Sequence, residues 1–375
     1  MNSYYQQKEK LVIGFFALII FTACTSTQKK DNVATVADST WLLPFNKLDS
    51  INPVMQPGNL SFVNPVQNKQ VNWEAKNVYN PAVTIRNDTM FMLYRAQDSA
   101  GCSRIGLAKS IDGIHFIRNA SPVLYPSNDA YKKYEWPGGC EDPRLTQDSA
   151  GTYYMTYTAY DGKIARLMLA TSTDLYNWKK YGPVFTDKKY DSMWSKSGSI
   201  VSTYSNNKIT AAKINGSYWM YWGDKYIWIA SSTDLIHWTP EQQTADANFD
   251  SVYAGYNISN LKIALPTRKN KFDNNIVESG PPAMLTDKGI LLIYNSRNVP
   301  DGGDTSLREG TYTVAQALFD KNDPGKIINR MDHYFLKPEQ PYEFSGEVNN
   351  VCFAEGLAFY NNKWWLYYGT ADSKI

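Results

Sequence analysis

Residues 138–146 read GGCEDPRLT, which sets the adjacent carboxylates of Glu141 and Asp142 beside Arg144. Acids this close repel unless a cation or hydrogen bonds stabilise one of them, while burial raises the pKa of the other. A pair split in this way can hold a proton on one group and accept one on the other, which is what general acid–base chemistry requires. Arg144 and the glycine backbone are the local candidates for stabilising one carboxylate. The competing reading is a turn held by an Asp142–Arg144 pair, with no chemistry.

Other polar residues interrupt apolar runs in comparable places: Asn80 in NPAV, Arg95 in YRA, Arg104 in SRIG, Arg166 in IARLM, Lys196 in WSKSG, Asp224 in YWGD, Glu278 in VESGPP and Asp372 in ADS. Charges among Gly, Pro and aromatic neighbours suit ligand contacts, whereas isolated surface charges would be solvated and inert. His115, His237 and His333 are too scattered for a metal site, and two of them sit in a repeated turn, where packing is the expected role. No Gly-rich phosphate loop or dinucleotide fingerprint is present, so no cofactor is expected.

The elements that must position these residues are repeats. LAKSIDGIHF (107–116), LATSTDLYNW (169–178) and IASSTDLIHW (229–238) share one pattern at spacings of 62 and 60 residues. The serine and aspartate suit side-chain-to-backbone bonds that hold a turn, with the final aromatic packed beneath it. A second pattern recurs five times as MFMLYRA, YYMTYTA, YWMYWGD, ILLIYNS and WWLYYGT, centred on Tyr94, Tyr157, Tyr221, Tyr294 and Tyr367. Short β-branched and aromatic runs bounded by Gly, Asn and Asp are strand chemistry. Their period leaves room for four strands and their turns, and radial repetition of four-stranded sheets is a propeller. The expectation is an all-β, five-bladed β-propeller with four-stranded antiparallel blades over residues 41–375, with residues 41–66 adding a closing strand to the last blade.

Composition narrows the function classes. The 375 residues carry a net charge of +2 with no basic block, which argues against nucleic acid or a charged membrane surface as partner. Aromatic residues make up 14%, supplying many flat faces for a ligand. Lys8 and Lys10 precede the apolar run LVIGFFALIIFTA, which ends at Cys24. A positive segment, a short apolar core and small residues before a cut site predict a secretory signal over residues 1–23, whose apolar run is shorter than a membrane span needs. FTAC resembles a bacterial lipobox with Phe21 where leucine is usual, which implies lipidation of Cys24, a polar tether over 24–40 and a cell-envelope location. Cys102, Cys140 and Cys352 form no disulfide framework.

The ordered series NPAV, YRA, SRIGLAKSIDGIHF, EDPRLT, YYMTYTAYD and LATSTDLYNW resembles glycoside hydrolase family 130, the β-mannoside phosphorylases and mannosidases. GPPAMLTDKGILLIYN, ALFDKNDPGKIINR and PYEFSGEVNNVCF extend the resemblance over residues 75–375. It implies a five-bladed propeller that cleaves β-mannosides with inversion, by phosphate or by water. Asp142 then aligns with the family's catalytic acid, whose proton is thought to travel through a mannose hydroxyl. Glu141 would help position the sugar, as would Asn80, Arg95, Arg104, Arg144, Arg166, Lys196 and Asp372.

The family's phosphorylases carry a basic phosphate cluster, with histidine in segments like LHR and YHG. This chain has YWGD and YNSRN there, which puts Asp224 where phosphate needs a cation, and Glu278 stands where phosphorylases tend to have a small residue. A like charge at ~4 Å in a partly dry site opposes a dianion by several kcal/mol. The same carboxylates suit activation of water. The expectation is an inverting, exo-acting mannosidase on β-1,2-linked manno-oligosaccharides, with Asp142 as acid and Glu278 favoured over Asp224 as base. The alternatives are a phosphorylase releasing mannose 1-phosphate and a propeller that binds mannan without cutting it. The second alternative calls for an exposed Asp142 with no second acid facing it.

Overall fold

The computed structural model of the protein describes residues 40–243 and 260–375. The expected signal segment, the expected lipidation at Cys24 and all of the expected tether except Thr40 lie outside the described residues. The regular structure of the described residues is nearly all strand; their helices are two four-residue α-turns, Lys132–Glu135 and Pro341–Phe344, and one 3-10 turn. None is long and apolar enough to cross a membrane.

Antiparallel pairing among the described residues falls into five successive groups. In the first, Asn77–Arg86, Thr89–Gln97, Ser103–Ser110 and Ile117–Arg118 pair in chain order. The second repeats this with Gly139–Gln147, Tyr153–Tyr160, Ala165–Ser172 and Lys179–Pro183. The third centres on Ser217–Trp222 and Ile227–Ser232, and its inner strand is interrupted by the hairpin Ser202–Ser205/Lys208–Ala211. In the fourth, a broken inner strand precedes Gly289–Arg297, Tyr312–Phe319 and Ile327–Arg330. The fifth is the pair Cys352–Tyr360 and Lys363–Thr370 alone. Four strands per unit therefore hold for the first two groups and not for the last.

Period-2 alternation gives each central strand two buried faces. Phe91 and Leu93 pack with Met155 and Tyr157 of the second group. Met90, Met92 and Tyr94, on the other face, pack with Ala358 and Tyr367 of the fifth. Three further apolar clusters join the second group to the third, the third to the fourth and the fourth to the fifth. The result is a propeller-like succession whose last group returns to its first.

The repeated turns form as their chemistry predicts. The Oδ1 atoms of Asp112, Asp174 and Asp234 each accept two backbone N–H groups, from Ile114 and His115, Tyr176 and Asn177, and Ile236 and His237. Trp178 and Trp238 tuck beneath and donate their indole N–H to the carbonyls of Leu175 and Leu235. The expectation for the histidines is corrected: His115 and His237 are exposed, with each Nδ1 against the turn aspartate, and do not pack.

The repeated tyrosine has a specific partner. Tyr94, Tyr157 and Tyr294 donate their hydroxyls to Glu74, Glu135 and Asp273, at 2.9, 2.8 and 2.9 Å. Each acid lies just before the inner strand of its group and pairs with a base from the outer strand: Arg118, Lys180 and Arg330. In the fifth group the equivalent is Tyr368, not Tyr367; it donates to Glu343 at 2.8 Å. Glu343 takes its cation, Lys47, from the N-terminal stretch. Residues 41–66 thus complete the last unit with a side chain, and Met55 exchanges two backbone hydrogen bonds with Ile375. They add no closing strand: the hairpin Ser61–Asn64/Lys69–Asn72 pairs only with itself. In the third group the equivalent position, on the face toward the preceding group, is Trp222, and Tyr221 packs on the opposite face and donates to the carbonyl of Pro324.

Candidate active site

The inner strands lose regular register at matching points. Pairing shifts between Tyr79 and Pro81, between Glu141 and Arg144, and between Ala354 and Gly356. Each bulge carries a polar residue: Asn80, Asp142 and Glu355. A bulge bends its strand and re-aims one side chain, and such features gather beside functional sites. Asn80 and Asp142 sit at φ 50° and 48°, and Ser197, beside Lys196, at 60°. That left-handed region is costly outside glycine, least so for Asn and Asp, and persists where the surroundings enforce it.

Asp142, 2% exposed, is the hub. Its Oδ1 accepts from Asn80 Nδ2 at 2.9 Å and from Arg95 Nη1 at 3.1 Å. The other guanidinium nitrogen, Arg95 Nη2, reaches Glu141 Oε1 at 2.7 Å, and Nε donates to Ser103 Oγ. Lys196 Nζ lies 3.8 Å from Asp142 Oδ2 and 3.4 Å from Glu278 Oε1. Glu278 also accepts from the Ser197 hydroxyl. Asp224 Oδ2 accepts the indole N–H of Trp194 at 2.9 Å.

Arg144 departs from expectation. Its guanidinium is buried and turned away from both carboxylates of its own motif. It donates to the carbonyls of Ser279 and Gly280, touches Asp142 only through the backbone carbonyl, and lies 2.9 Å from Glu355. The cation that bridges Glu141 and Asp142 is Arg95. A pleated strand explains the exchange, because the bulge turns Asp142 toward Arg95 and sends Arg144 to the opposite side.

Arg104 and Arg166 stand apart from this cluster. Arg104 is 1% exposed and bonds Asp98 and the carbonyl of Cys102. Its neighbour Ser103 faces the cluster, and successive strand residues face opposite ways. Arg166 pairs with Asp161 at 2.6 Å and donates to the carbonyl of Asp191. Their contacts are intramolecular ties away from Asp142 and lend no support to the expectation that they hold sugar. Asp372, on the turn after the last strand at φ 49°, does belong: Arg95, Asp142, Lys196 and Glu278 all act on its charge.

The carboxyl groups are strongly differentiated. Burial pushes Asp142 up, but Arg95, Lys196 and the Asn80 hydrogen bond outweigh it and hold the group below the ordinary aspartate range. Burial prevails at Glu141 against Arg95, and at Glu278 against Lys196, and both are raised. Burial lifts Asp372 to about 7. Lys196 is desolvated, yet Glu278 and Asp142 keep it firmly protonated. The Glu141–Asp142 pair is therefore split in the expected sense, with Arg95 as the agent. The split leaves Asp142 as a carboxylate, so it must be loaded with a proton before it can act as an acid.

Trp194, Ser197, Ser103 and Glu355 were not singled out from sequence. The one available signal was for Glu355: in CFAEGL it precedes Gly356 just as Asp142 precedes Pro143 and Asn80 precedes Pro81. Among the described residues no group of His, Cys, Asp and Glu is arranged as a metal site.

Comparison with known proteins places this chain in a family. The profile described as beta-1,4-mannooligosaccharide phosphorylase, glycoside hydrolase family 130, matches residues 47–375. A 1,2-beta-oligomannan phosphorylase from Thermoanaerobacter is 30% identical over 315 residues, covering 81% of this chain and 89% of its own. A glycosyl hydrolase structure from Bacteroides ovatus is 40% identical with a TM-score of 0.81, covering 88% and 92% of the two chains. A structure from work on family members that are glycoside hydrolases targeting beta-1,2 mannosidic linkages in Candida mannan is 41% identical, with a TM-score of 0.84 and coverage of 90% and 93%. With its profile matched over nearly all of the described residues, this chain belongs to glycoside hydrolase family 130.

Proposed function

We propose that the protein is an inverting, exo-acting β-mannosidase that hydrolyses β-1,2-linked manno-oligosaccharides. The observation that carries this reading is Glu278 facing Asp142 across Lys196. The two Lys196 contacts, at 3.8 and 3.4 Å, put Asp142 Oδ2 and Glu278 Oε1 at most ~7 Å apart, an upper bound that reaches the ~6.5–9.5 Å that inversion through a water uses. Glu278 serves as the base that activates water, with Asp224, fixed by Trp194, beside it. Asp142 serves as the acid. Sugar hydroxyls entering the cluster compete for Arg95 and Lys196, which relaxes their hold on Asp142 and lets it take up the proton it delivers. Asn80, Arg95, Glu141 and Asp372 line the same cluster and position the sugar. The five strand groups and the five clusters between them support a five-bladed ring around this site.

The 41% identical relative tied to hydrolysis of β-1,2 mannosidic linkages supports the assignment. Phosphorolysis is the second reading, favoured by Lys196 and Arg95, two cations that could hold phosphate, and by the relative that is a 1,2-beta-oligomannan phosphorylase. A non-catalytic binder lacks its required feature, since Asp142 is buried and a second acid faces it. The deciding experiment is proton NMR of fresh product from β-1,2-mannobiose, with and without phosphate. Hydrolysis with inversion releases α-mannose at a rate independent of phosphate. Mannose 1-phosphate formed only with phosphate overturns the reading in favour of phosphorolysis, and β-mannose overturns inversion.

A further inference from the structure

We propose that Glu355 is a positioning residue which, through Arg144, sets the placement of Asp142 and Glu278. The proposal rests on the catalytic roles given above to those two acids. Glu355 is the bulge residue of the fifth group's inner strand, the counterpart of Asn80 and Asp142 in the first two groups. Its side chain is 0% exposed, and neither carboxyl oxygen has a hydrogen-bond partner among the described residues. A buried polar group without partners is costly and calls for a reason. Among the described residues the cation in contact with it is Arg144, whose Nη2 lies 2.9 Å from Oε1.

Arg144 joins three inner strands at one point. Nη1 donates to the carbonyl of Asp142, 3.3 Å away. Nη2 donates to the carbonyl of Ser279, the residue after Glu278, at 2.7 Å, and Nε reaches Gly280 at 3.0 Å. Glu355 closes the fourth side. The bulge behind it is clamped, because Asn295 both donates to the carbonyl of Ala354 and accepts from its N–H. Removing Glu355 would leave a side-chain-sized space beside a guanidinium then held by neutral carbonyls alone, and Arg144 would be free to swing into it. Both strands that carry the acids would then lose their common tie.

Arg144 also acts on both acids by charge, favouring the ionised forms of Asp142 and Glu278. The other charged groups facing them are Arg95, Lys196, Glu141, Asp224, Asp372 and Glu355 itself. Burial keeps the Glu355 carboxyl neutral to higher pH despite Arg144, so an amide of the same shape can replace it.

The test compares Glu355→Gln with Glu355→Ala on β-1,2-mannobiose, with and without phosphate, across pH. Glu355→Gln is expected within about threefold of the parent protein, with both pH limbs in place. Glu355→Ala is expected to lose kcat by about 10²-fold, the scale of a small misplacement at a reacting centre, with KM within about twofold. Its acid limb moves to higher pH, because losing Arg144's charge raises the base that must be deprotonated. A variant that only folded poorly would lose amplitude without moving a limb. Normal kcat in Glu355→Ala, or equal damage in both variants, overturns the proposal. Crystal structures of the two variants decide it independently of activity: Arg144 still bonded to Asp142 and Ser279 in Glu355→Ala sinks it. A parent protein inactive on mannobiose under both conditions instead sinks the mannoside reading, and the crystal structures still decide the strut.

Discussion

Replacing Asp142 with asparagine separates chemistry from architecture. The amide keeps an oxygen that can still accept from Asn80 and Arg95, at 2.9 and 3.1 Å in the parent structure. Lys196, 3.8 Å from the other oxygen, retains Glu278 as a partner. The stability cost is then about 1–3 kcal/mol, the range for weakening one charge-assisted hydrogen-bond set. Against a usual reserve of about 5–15 kcal/mol, the variant stays folded at 25 °C. The activity cost is of a different size. Loss of a general acid lowers the rate by roughly 10²–10⁴-fold, or about 3–5 kcal/mol of barrier. The assay follows mannose release from β-1,2-mannobiose and from an aryl β-mannoside whose phenolate departs without a proton. Asp142→Asn should fail on the first and lose much less on the second. Equal loss on both would mean that Asp142 does not protonate the leaving oxygen and serves as base or anchor. A rate within tenfold of the parent on mannobiose would remove it from the mechanism.

Asp372, lifted to about 7 by burial, holds its proton more tightly in the native state than in the unfolded chain, where aspartate titrates near ~3.9. Its contribution to stability is present below about pH 4 and is lost as pH rises toward 7. Asp372→Asn should therefore gain urea resistance relative to the parent between pH 4 and pH 8, and a difference that stays constant with pH would refute this. Lys180→Met strands Glu135, which is fully buried and otherwise held by Tyr157. Denaturant unfolding should show a loss of about 3–5 kcal/mol, as for other broken buried pairs. Tyr221→Phe, which removes only a bond to the Pro324 carbonyl, should cost about 1 kcal/mol. Similar losses in the two variants would contradict a charged Glu135–Lys180 pair.

Much of the scaffold was legible from residue order alone. The Ser-x-Asp turns are closed by bonds between residues two and three apart, and such bonds depend only on local sequence. The strand repeat was equally visible, because alternation and turn residues are local. Even so, the third and the last repeats were each misaligned by one residue, Tyr221 standing for Trp222 and Tyr367 for Tyr368. Tyr367 and Tyr368 are adjacent aromatics on opposite faces, and only the position of Glu343 identifies Tyr368 as the repeated one.

The candidate site divides along the same line. Sequence alone marked Asp142, Glu278, Asp224, Lys196, Asn80, Arg95 and Asp372 as polar interruptions of strands, and they do gather or border one cluster. It could not assign partners. Arg144 lies two residues from Asp142, yet its guanidinium serves Ser279, 135 residues away. Arg95, 46 residues from Glu141, provides the bridge that Arg144 had been expected to form. Arg104 and Arg166 looked equivalent to Arg95 by composition, but strand alternation turned Arg104 to the other face, and Arg166 is taken up by Asp161 and the carbonyl of Asp191. Residue types and their periods determined that this chain makes repeated strands with polar ends. Register, bulges and the meeting of distant strands decided which charges face one another, because a shift of one residue along a strand moves a side chain to the opposite face.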